Sequence, residues 1–269
     1  MGKIDDIQAY KEWTEYHRSL KRDKAADNLS PVERKKKLEK LEANVIEWIL
    51  FFFSEFAKYP FTKFHKKAIK RITTNMEWYE VLSWSRELAK STIVFMCMMY
   101  LVLTGKKKNV LLISNSHENA VRLLEPYKKA FESNSMLKAY YGDLREFGSW
   151  TADEFTLTTG ATFRAIGALE SPRGTRKDAV RPDTALVDDF DTDADCRNPD
   201  ILKKKWEWFE EALFPTRSIS EDLLVIFCGN LIALDCCVKR AGDKADHWDI
   251  VNIRDKDGKS SWPEKNTEE

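Results

Sequence analysis

Four short apolar runs, at 79–84, 110–114, 184–188 and 223–228, punctuate the chain, each bounded by polar or turn residues. Continuous apolar segments of that length predict strands covered on both faces, as in a parallel sheet. Amphipathic stretches at 90–103, 117–132 and 199–214 predict helices, so strand and helix recur in order. This alternation predicts an α/β protein with a mostly parallel central sheet flanked by helices. Residues 155–159 and 162–166, parted by Gly160, predict a hairpin that feeds a loop over 171–182. One more strand begins near Trp248, ahead of an Asp257-Gly258 turn and a polar end.

The first 60 residues have a different texture, charged and aromatic with almost no glycine. Ser30-Pro31-Val32-Glu33 predicts a helix start, with Ser as N-cap, Pro at the first helical position and Glu at the third. One long helix is expected over 33–56, its second half broad and apolar enough to pack against a larger body, before Tyr59-Pro60 ends it. The expected organisation is a helical appendage over 1–60 that covers a sheet edge or face, an α/β domain over 61–245, and a segment over 246–269 too short for another domain.

Composition removes several classes. Of 269 residues 43% are hydrophobic, with only 10 Gly and 8 Pro, which excludes collagenous, low-complexity and disordered chains. Lys plus Arg and Asp plus Glu number 44 each, so net charge says nothing about partners. The five cysteines are odd in number and lack CxxC spacing, which points to a reducing compartment rather than a zinc or disulfide framework. The N-terminus lacks a signal core, and the apolar runs 45–53 and 93–103 fall short of the roughly 20 residues a membrane span needs.

Two segments could carry chemistry. The first, Trp84-Ser85-Arg86-Glu87-Leu88-Ala89-Lys90-Ser91-Thr92, lies between a strand and a helix. A phosphate-binding loop, GxxxxGK[ST], uses small residues so that amides can cradle phosphate, Lys to neutralise charge and a hydroxyl for magnesium. Only Lys90-Ser91 fits that pattern; Trp84 and Ala89 stand at the glycine positions, and taken alone the segment reads better as an amphipathic helix with an ordinary surface lysine than as a phosphate loop. The second, Thr184-Ala185-Leu186-Val187-Asp188-Asp189, ends an apolar strand in two carboxylates, as a Walker B strand does: the first acid holds a metal and the second acts on water. Asp183, Asp188, Asp189, Asp191, Asp193 and Asp195 crowd one stretch, and on spacing alone a divalent-ion loop or a metal-dependent nuclease site is as good a reading.

Order shifts the balance. A strand, Lys-Ser opening a helix, a second βα unit, a strand ending in Asp-Asp, and a strand ending at Cys228-Gly229-Asn230 make the layout of P-loop NTPases of the additional-strand (ASCE) type. From about Tyr59 onward the sequence also resembles the large terminase subunits of tailed bacteriophages and related viruses, which drive DNA into preformed capsids. Residues 85–92 look like that family's degenerate phosphate loop, with Arg86 four residues before Lys90; Ala89 is a departure. Phe64-His65, in Phe61-Thr62-Lys63-Phe64-His65-Lys66, resembles the adenine-side motif, with His65 in a place usually held by Gln. The run Ala165 through Gly174, followed by Arg181-Pro182-Asp183 and the Asp188-Asp189 strand, is similar to the family's most distinctive part.

What the resemblance implies is specific. ATP and Mg2+ would be the cofactors, with Arg86, Glu87, Leu88, Ala89, Lys90, Ser91 and Thr92 around the phosphates, Phe64 and His65 near the base, and Asn230 as a γ-phosphate sensor. Ser91 and Asp188 would hold the metal. Asp189, where many members carry Glu, would act on the water. Arg86 would sense or stabilise the γ-phosphate, and Arg173 would complete a neighbouring subunit's site, with Arg176 and Arg181 as competitors. Double-stranded DNA, a portal protein, a small terminase subunit and a homo-oligomeric ring are the implied partners, in the host cell cytoplasm and away from membranes. The segment 248–263 resembles the lead into the family's nuclease domain, which the expectation takes as absent after Glu269. A helicase or other P-loop translocase, a nuclease on the aspartate cluster, and a non-enzymatic assembly module are the alternatives. The basic stretches Lys58, Lys63, Lys66, Lys67, Lys70 and Arg71, then Lys106 to Lys108 and Lys203 to Lys205, could meet DNA phosphates, or form solvated faces.

Overall fold

The computed structural model describes residues 29–172, 181–217 and 221–266. In chain order the elements are α1 (Pro31–Glu42), α2 (Val45–Phe52), α3 (Lys63–Thr74), β1 (Trp78–Trp84), α4 (Lys90–Leu103), β2 (Asn109–Ser114), α5 (His117–Ser133) and α6 (Ser135–Tyr141). There follow β3 (Arg145–Trp150), β4 (Glu154–Leu157), β5 (Thr162–Gly167), β6 (Thr184–Asp188), α7 (Asp193–Cys196), α8 (Pro199–Glu207), β7 (Leu224–Cys228), α9 (Cys237–Lys244) and β8 (His247–Val251).

The eight strands of the described residues join one sheet in the order β3-β4-β5-β2-β6-β7-β1-β8. From β5 to β8 every pairing is parallel, while β4 runs antiparallel to both β3 and β5. β7 is inserted between β1 and β6, which is the defining feature of the ASCE P-loop arrangement expected from the order of motifs. The registers level the sheet: Leu82 pairs with Cys228 and Cys228 with Asp188, so β1, β7 and β6 end at one height.

Side chains alternate between two cores, as the pleat requires. Leu82, Val110, Leu112, Leu186, Leu224 and Ile226 face the layer made by α2 to α5. Val81, Leu111, Ile113, Val187, Val225 and Phe227 face Phe190, Trp206, Phe209 and Val238 on the other side. The buried Ile93-to-Val102 run makes α4 apolar all round, since it lies between the sheet and the N-terminal helices.

Two expectations change. The long helix over 33–56 is two helices, because the Asn44 side chain accepts from the amides of Ile46 and Glu47 and restarts the chain as an N-cap. Its apolar half belongs to the same core as the sheet: Trp48, Phe52 and Phe53 are buried, with Trp48 against Tyr100 of α4 at 5.4 Å. The helix over 199–214 is α-helical only to Glu207 and then widens into a π turn over Trp208–Leu213. The expected capping box at Ser30 and Glu33 is present.

Candidate functional site

The site is assembled at the C-terminal ends of β1, β6 and β7. After Trp84 the chain loops through Ser85 to Ala89 and enters α4 at Lys90. Glu87 (φ 73°) and Ala89 (φ 58°) are both left-handed, a conformation that normally selects glycine. The loop thus takes two left-handed turns of backbone with no glycine in it. Ser85 donates its amide to the Val251 carbonyl (2.8 Å), which ties the loop to the end of β8.

Thr184, Leu186 and Asp188 share one face of β6, and that face looks toward α4. Asp188 accordingly accepts a hydrogen bond from the Ser91 hydroxyl at 2.6 Å. It is 8% exposed, and its carboxyl is pushed up to about 6. Burial is the main cause and the neighbouring Asp189 adds to it, against the lowering effects of Lys90 and the Ser91 hydroxyl. Asp189 is exposed, sits at φ 46° and donates its amide to Asp188 Oδ1 at 3.0 Å. Its carbonyl accepts from the Asn115 amide, so the β6 turn is fixed to the end of β2.

Among the described residues neither Arg86 nor Lys90 has a hydrogen-bond or ion-pair partner. Two cations, the first-turn amides of α4 and an αL loop gather positive charge here, beside a hydroxyl–carboxylate pair in which Asp188 is buried and Ser91 is exposed. Asn230 follows β7 at the same edge, half-buried. Gly229 before it is dictated by space, since a Cβ there would come within 2.1 Å of Val238 Cγ2. Thr92 is half-buried on the first turn of α4.

Phe64 and His65 lie under the loop. Phe64 packs edge-on to Trp84 at 4.9 Å. His65 is fully buried, and the Thr62 amide donates to its Nδ1 at 3.3 Å; Nε2 therefore carries the proton and donates to the Leu88 carbonyl at 3.0 Å. Both ring nitrogens are engaged by protein. Arg173 and Arg176 lie outside the described residues, and Arg181 is exposed before β6.

The aspartates crowded in sequence are dispersed in space. Asp183 and Asp188 sit at opposite ends of β6, about 16 Å apart at ~3.3 Å per residue. Asp183 accepts from the amides of Lys108 (2.6 Å) and Asn109 (3.1 Å). Asp195 pairs with Lys205 at 2.8 Å, and Asp191 accepts from the Val238 amide at 3.0 Å. Among the described residues the only trio of potential metal-ligating side chains within 4.8 Å is Glu80, His247 and Asp249. Arg71 already fills it, forked onto Glu80 at 2.6 and 2.9 Å and onto Asp249 at 2.7 Å.

The basic stretches divide in the same way. Lys58, Lys63, Lys66, Lys67 and Lys70 are exposed. Lys107 is buried, its ammonium donating to the carbonyls of Met76 (2.9 Å), Asp183 (3.0 Å) and Asp222 (2.9 Å). Lys205 is buried against Asp195 and the Phe190 carbonyl. No described helix is long and apolar enough to cross a membrane.

Residues that local sequence reasoning did not connect to the site reach it from the C-terminal segment. Lys265 donates to the Glu87 carbonyl (2.6 Å) and carboxylate (2.8 Å), and the Trp262 ring stands 4.5 Å from His65.

No protein-family profile and no curated protein matches the sequence. Three solved structures are similar in their course. The HK97 bacteriophage large terminase is 15% identical with a TM-score of 0.49, covering 77% of this chain and 43% of its own, so the chain spans less than half of that protein. A single-residue variant of the Thermus phage P74-26 large terminase ATPase domain gives 15% and 0.47, covering 79% of this chain and 87% of that one. The corresponding domain without the substitution gives 15% and 0.42, over 74% and 83%.

Proposed function

We propose that this chain is an ATP-hydrolysing module of the large-terminase kind, acting in the movement of double-stranded DNA into a viral capsid. The observation that carries the reading is the Ser91–Asp188 hydrogen bond at the edge of an ASCE-ordered sheet, close to Lys90, which has no ion-pair partner among the described residues. Serine hydroxyl and carboxylate oxygens are the hard donors that Mg2+ prefers, and a buried carboxyl already drawn to a hydroxyl fits such an ion. Ser91 and Asp188 would hold it, and the ion would neutralise phosphate charge.

The chain's own groups do the rest. Lys90 and the free amides at the start of α4 hold the phosphates, and Arg86, exposed at the loop's rim, meets the terminal one. Asp189, held outward by its αL backbone, orients the attacking water and accepts its proton. Because phosphoryl transfer depends on positioning and charge, a site lacking a neighbour's guanidinium turns over slowly. Arg173 is our candidate for that donor in a homo-oligomeric ring. Asn230, which follows β7 between β1 and β6, is our candidate γ-phosphate sensor. DNA, portal and small-subunit partners and a place in the host cytoplasm belong to the same proposal.

Phosphate release from MgATP tests it, with and without double-stranded DNA, over a range of protein concentrations. Activity that rises faster than linearly with concentration and vanishes in Lys90→Ala is expected. If Lys90→Ala keeps the parent's rate, the assignment fails. Unwinding of a forked duplex would move the reading to a helicase.

A further inference from the structure

Two side chains from distant parts of the chain grip consecutive carbonyls of the candidate phosphate loop. Lys265 takes the Glu87 carbonyl at 2.6 Å, and His65 Nε2 takes the Leu88 carbonyl at 3.0 Å. They are braced against each other: Trp262, three residues before Lys265, packs on the His65 ring at 4.5 Å and donates its indole N–H to the Pro60 carbonyl at 3.0 Å. We propose that Lys265 is a positioning residue of the nucleotide site, and that the C-terminal segment carrying it sets the phosphate loop in its binding conformation together with His65. This inference rests on the nucleotide reading above and adds to it a role for residues beyond β8.

The reasoning begins with the peptide plane. A trans peptide points its N–H opposite to its carbonyl, so anchoring the carbonyls of residues 87 and 88 fixes the amides of residues 88 and 89. The Leu88 amide closes the turn onto the Ser85 carbonyl at 3.4 Å. The Ala89 amide makes no hydrogen bond among the described residues and is turned away from His65. It joins the first-turn amides of α4 as a donor with no acceptor of its own.

The loop also needs an external hold more than a glycine-bearing one does. Glu87 and Ala89 occupy left-handed backbone at a cost of order 1 kcal/mol each, and such conformations persist only where surroundings over-determine them. Charge gives a second reason. Glu87 puts a carboxylate on a loop that would receive phosphates, and Lys265 pairs with it at 2.8 Å, holding that carboxyl below its ordinary range through the hydrogen bond and the ammonium charge. Lys265 thus offsets a repulsion that the loop's own sequence creates.

The test uses the full chain and the variants Lys265→Met, Lys265→Arg and Lys90→Ala, with two readouts: MgADP affinity by calorimetry, and amide hydrogen exchange of peptides spanning 85–92 without nucleotide. Lys265→Met should speed exchange in that segment roughly tenfold, leave peptides from β7 and α5 unchanged, and weaken MgADP binding roughly five- to tenfold. Lys265→Arg, which can make both bonds, should stay near the parent in both. If the parent binds MgADP through Lys90 and Lys265→Met alters neither readout, the positioning role is overturned while the nucleotide reading stands. Faster loop exchange at unchanged affinity also overturns it, because the hold would then serve only the fold. A parent that binds no MgADP, with faster loop exchange in Lys265→Met, overturns the nucleotide reading while the grip itself stands.

Discussion

The two edges of the sheet carry nearly the same residues and use them in opposite ways. At one edge Lys90 opens the helix after β1 and Asp188 ends β6; at the other, Lys107 and Asp183 stand just before β2 and β6. Lys107 is sunk into three carbonyls and Asp183 into two amides, so every charge is answered by protein. Among the described residues Lys90 has no hydrogen-bond or ion-pair partner and Asp188 has a serine hydroxyl and its own turn amide, and the backbone between β1 and α4 runs through left-handed residues. A buried charge that is fully satisfied stabilises a fold, whereas one left partly unanswered is available to a ligand.

The sharpest way to break that contrast is to delete the lysine at each edge. Lys90→Ala should abolish MgATP turnover, by 100-fold or more, while leaving the urea midpoint within a few tenths molar of the parent. Lys107→Met should do the reverse. Three buried carbonyls would lose a charged donor, so urea unfolding should show a loss of about 3 kcal/mol, with activity per folded molecule preserved. Exchanged phenotypes would mean that the edges have been assigned the wrong way round.

This division explains what could be read in advance. β1, β2, β6 and β7 were legible because each is a short apolar run, and the order of Lys90-Ser91, Asp188-Asp189 and Gly229-Asn230 sufficed for the topology. β3 was not, since Arg145-Glu146-Phe147-Gly148-Ser149-Trp150 is an exposed edge strand with no core pattern to betray it. The break at Asn44 interrupts a periodicity that otherwise runs through it, and only the cap reveals it. Lys107 and Lys205 look like solvated basic runs, because burial depends on carbonyls contributed by segments far away in sequence. His65 was singled out from the sequence for the base, but its hold on the loop, like that of Lys265, was hidden for the same reason: their partner is one loop, reached from positions 200 residues apart.

At the edge proposed to be active, Ser91→Ala should lower turnover roughly tenfold and raise the magnesium concentration needed for half-maximal rate, since Asp188 would keep its carboxylate and lose its hydroxyl partner. A magnesium titration decides it; an unchanged requirement would remove Ser91 from the metal's neighbourhood.

A smaller effect belongs to pH. Burial holds His65 below its ordinary pKa, with the Leu88 hydrogen bond opposing, so the unfolded chain takes up a proton near 6.5 that the folded chain refuses. Stability from this group is therefore complete above about 6.5 and declines as pH falls below it, by up to about 1.4 kcal/mol per unit. Asp188, pushed up to about 6, acts in the opposite direction, so the difference between parent and His65→Gln is the informative curve. Glutamine can accept from Thr62 and donate to Leu88 without titrating, and its difference from the parent should grow below pH 6.5 and be flat above it.

The smallest effect is at Ala89, where two terms nearly cancel. Glycine would release the left-handed strain of φ 58°, worth of order 1 kcal/mol, but would also loosen the unfolded chain by roughly 0.4–1 kcal/mol. The net change in unfolding free energy should therefore lie within about 0.5 kcal/mol of zero. Nucleotide affinity is the better probe, because glycine makes the loop's path intrinsically easy and so less dependent on the grip of Lys265. In an Ala89→Gly background, Lys265→Met should cost less MgADP affinity than it does in the parent. Equal losses in the two backgrounds would show that the left-handed backbone at 89 and the anchoring of the Glu87 carbonyl are energetically independent.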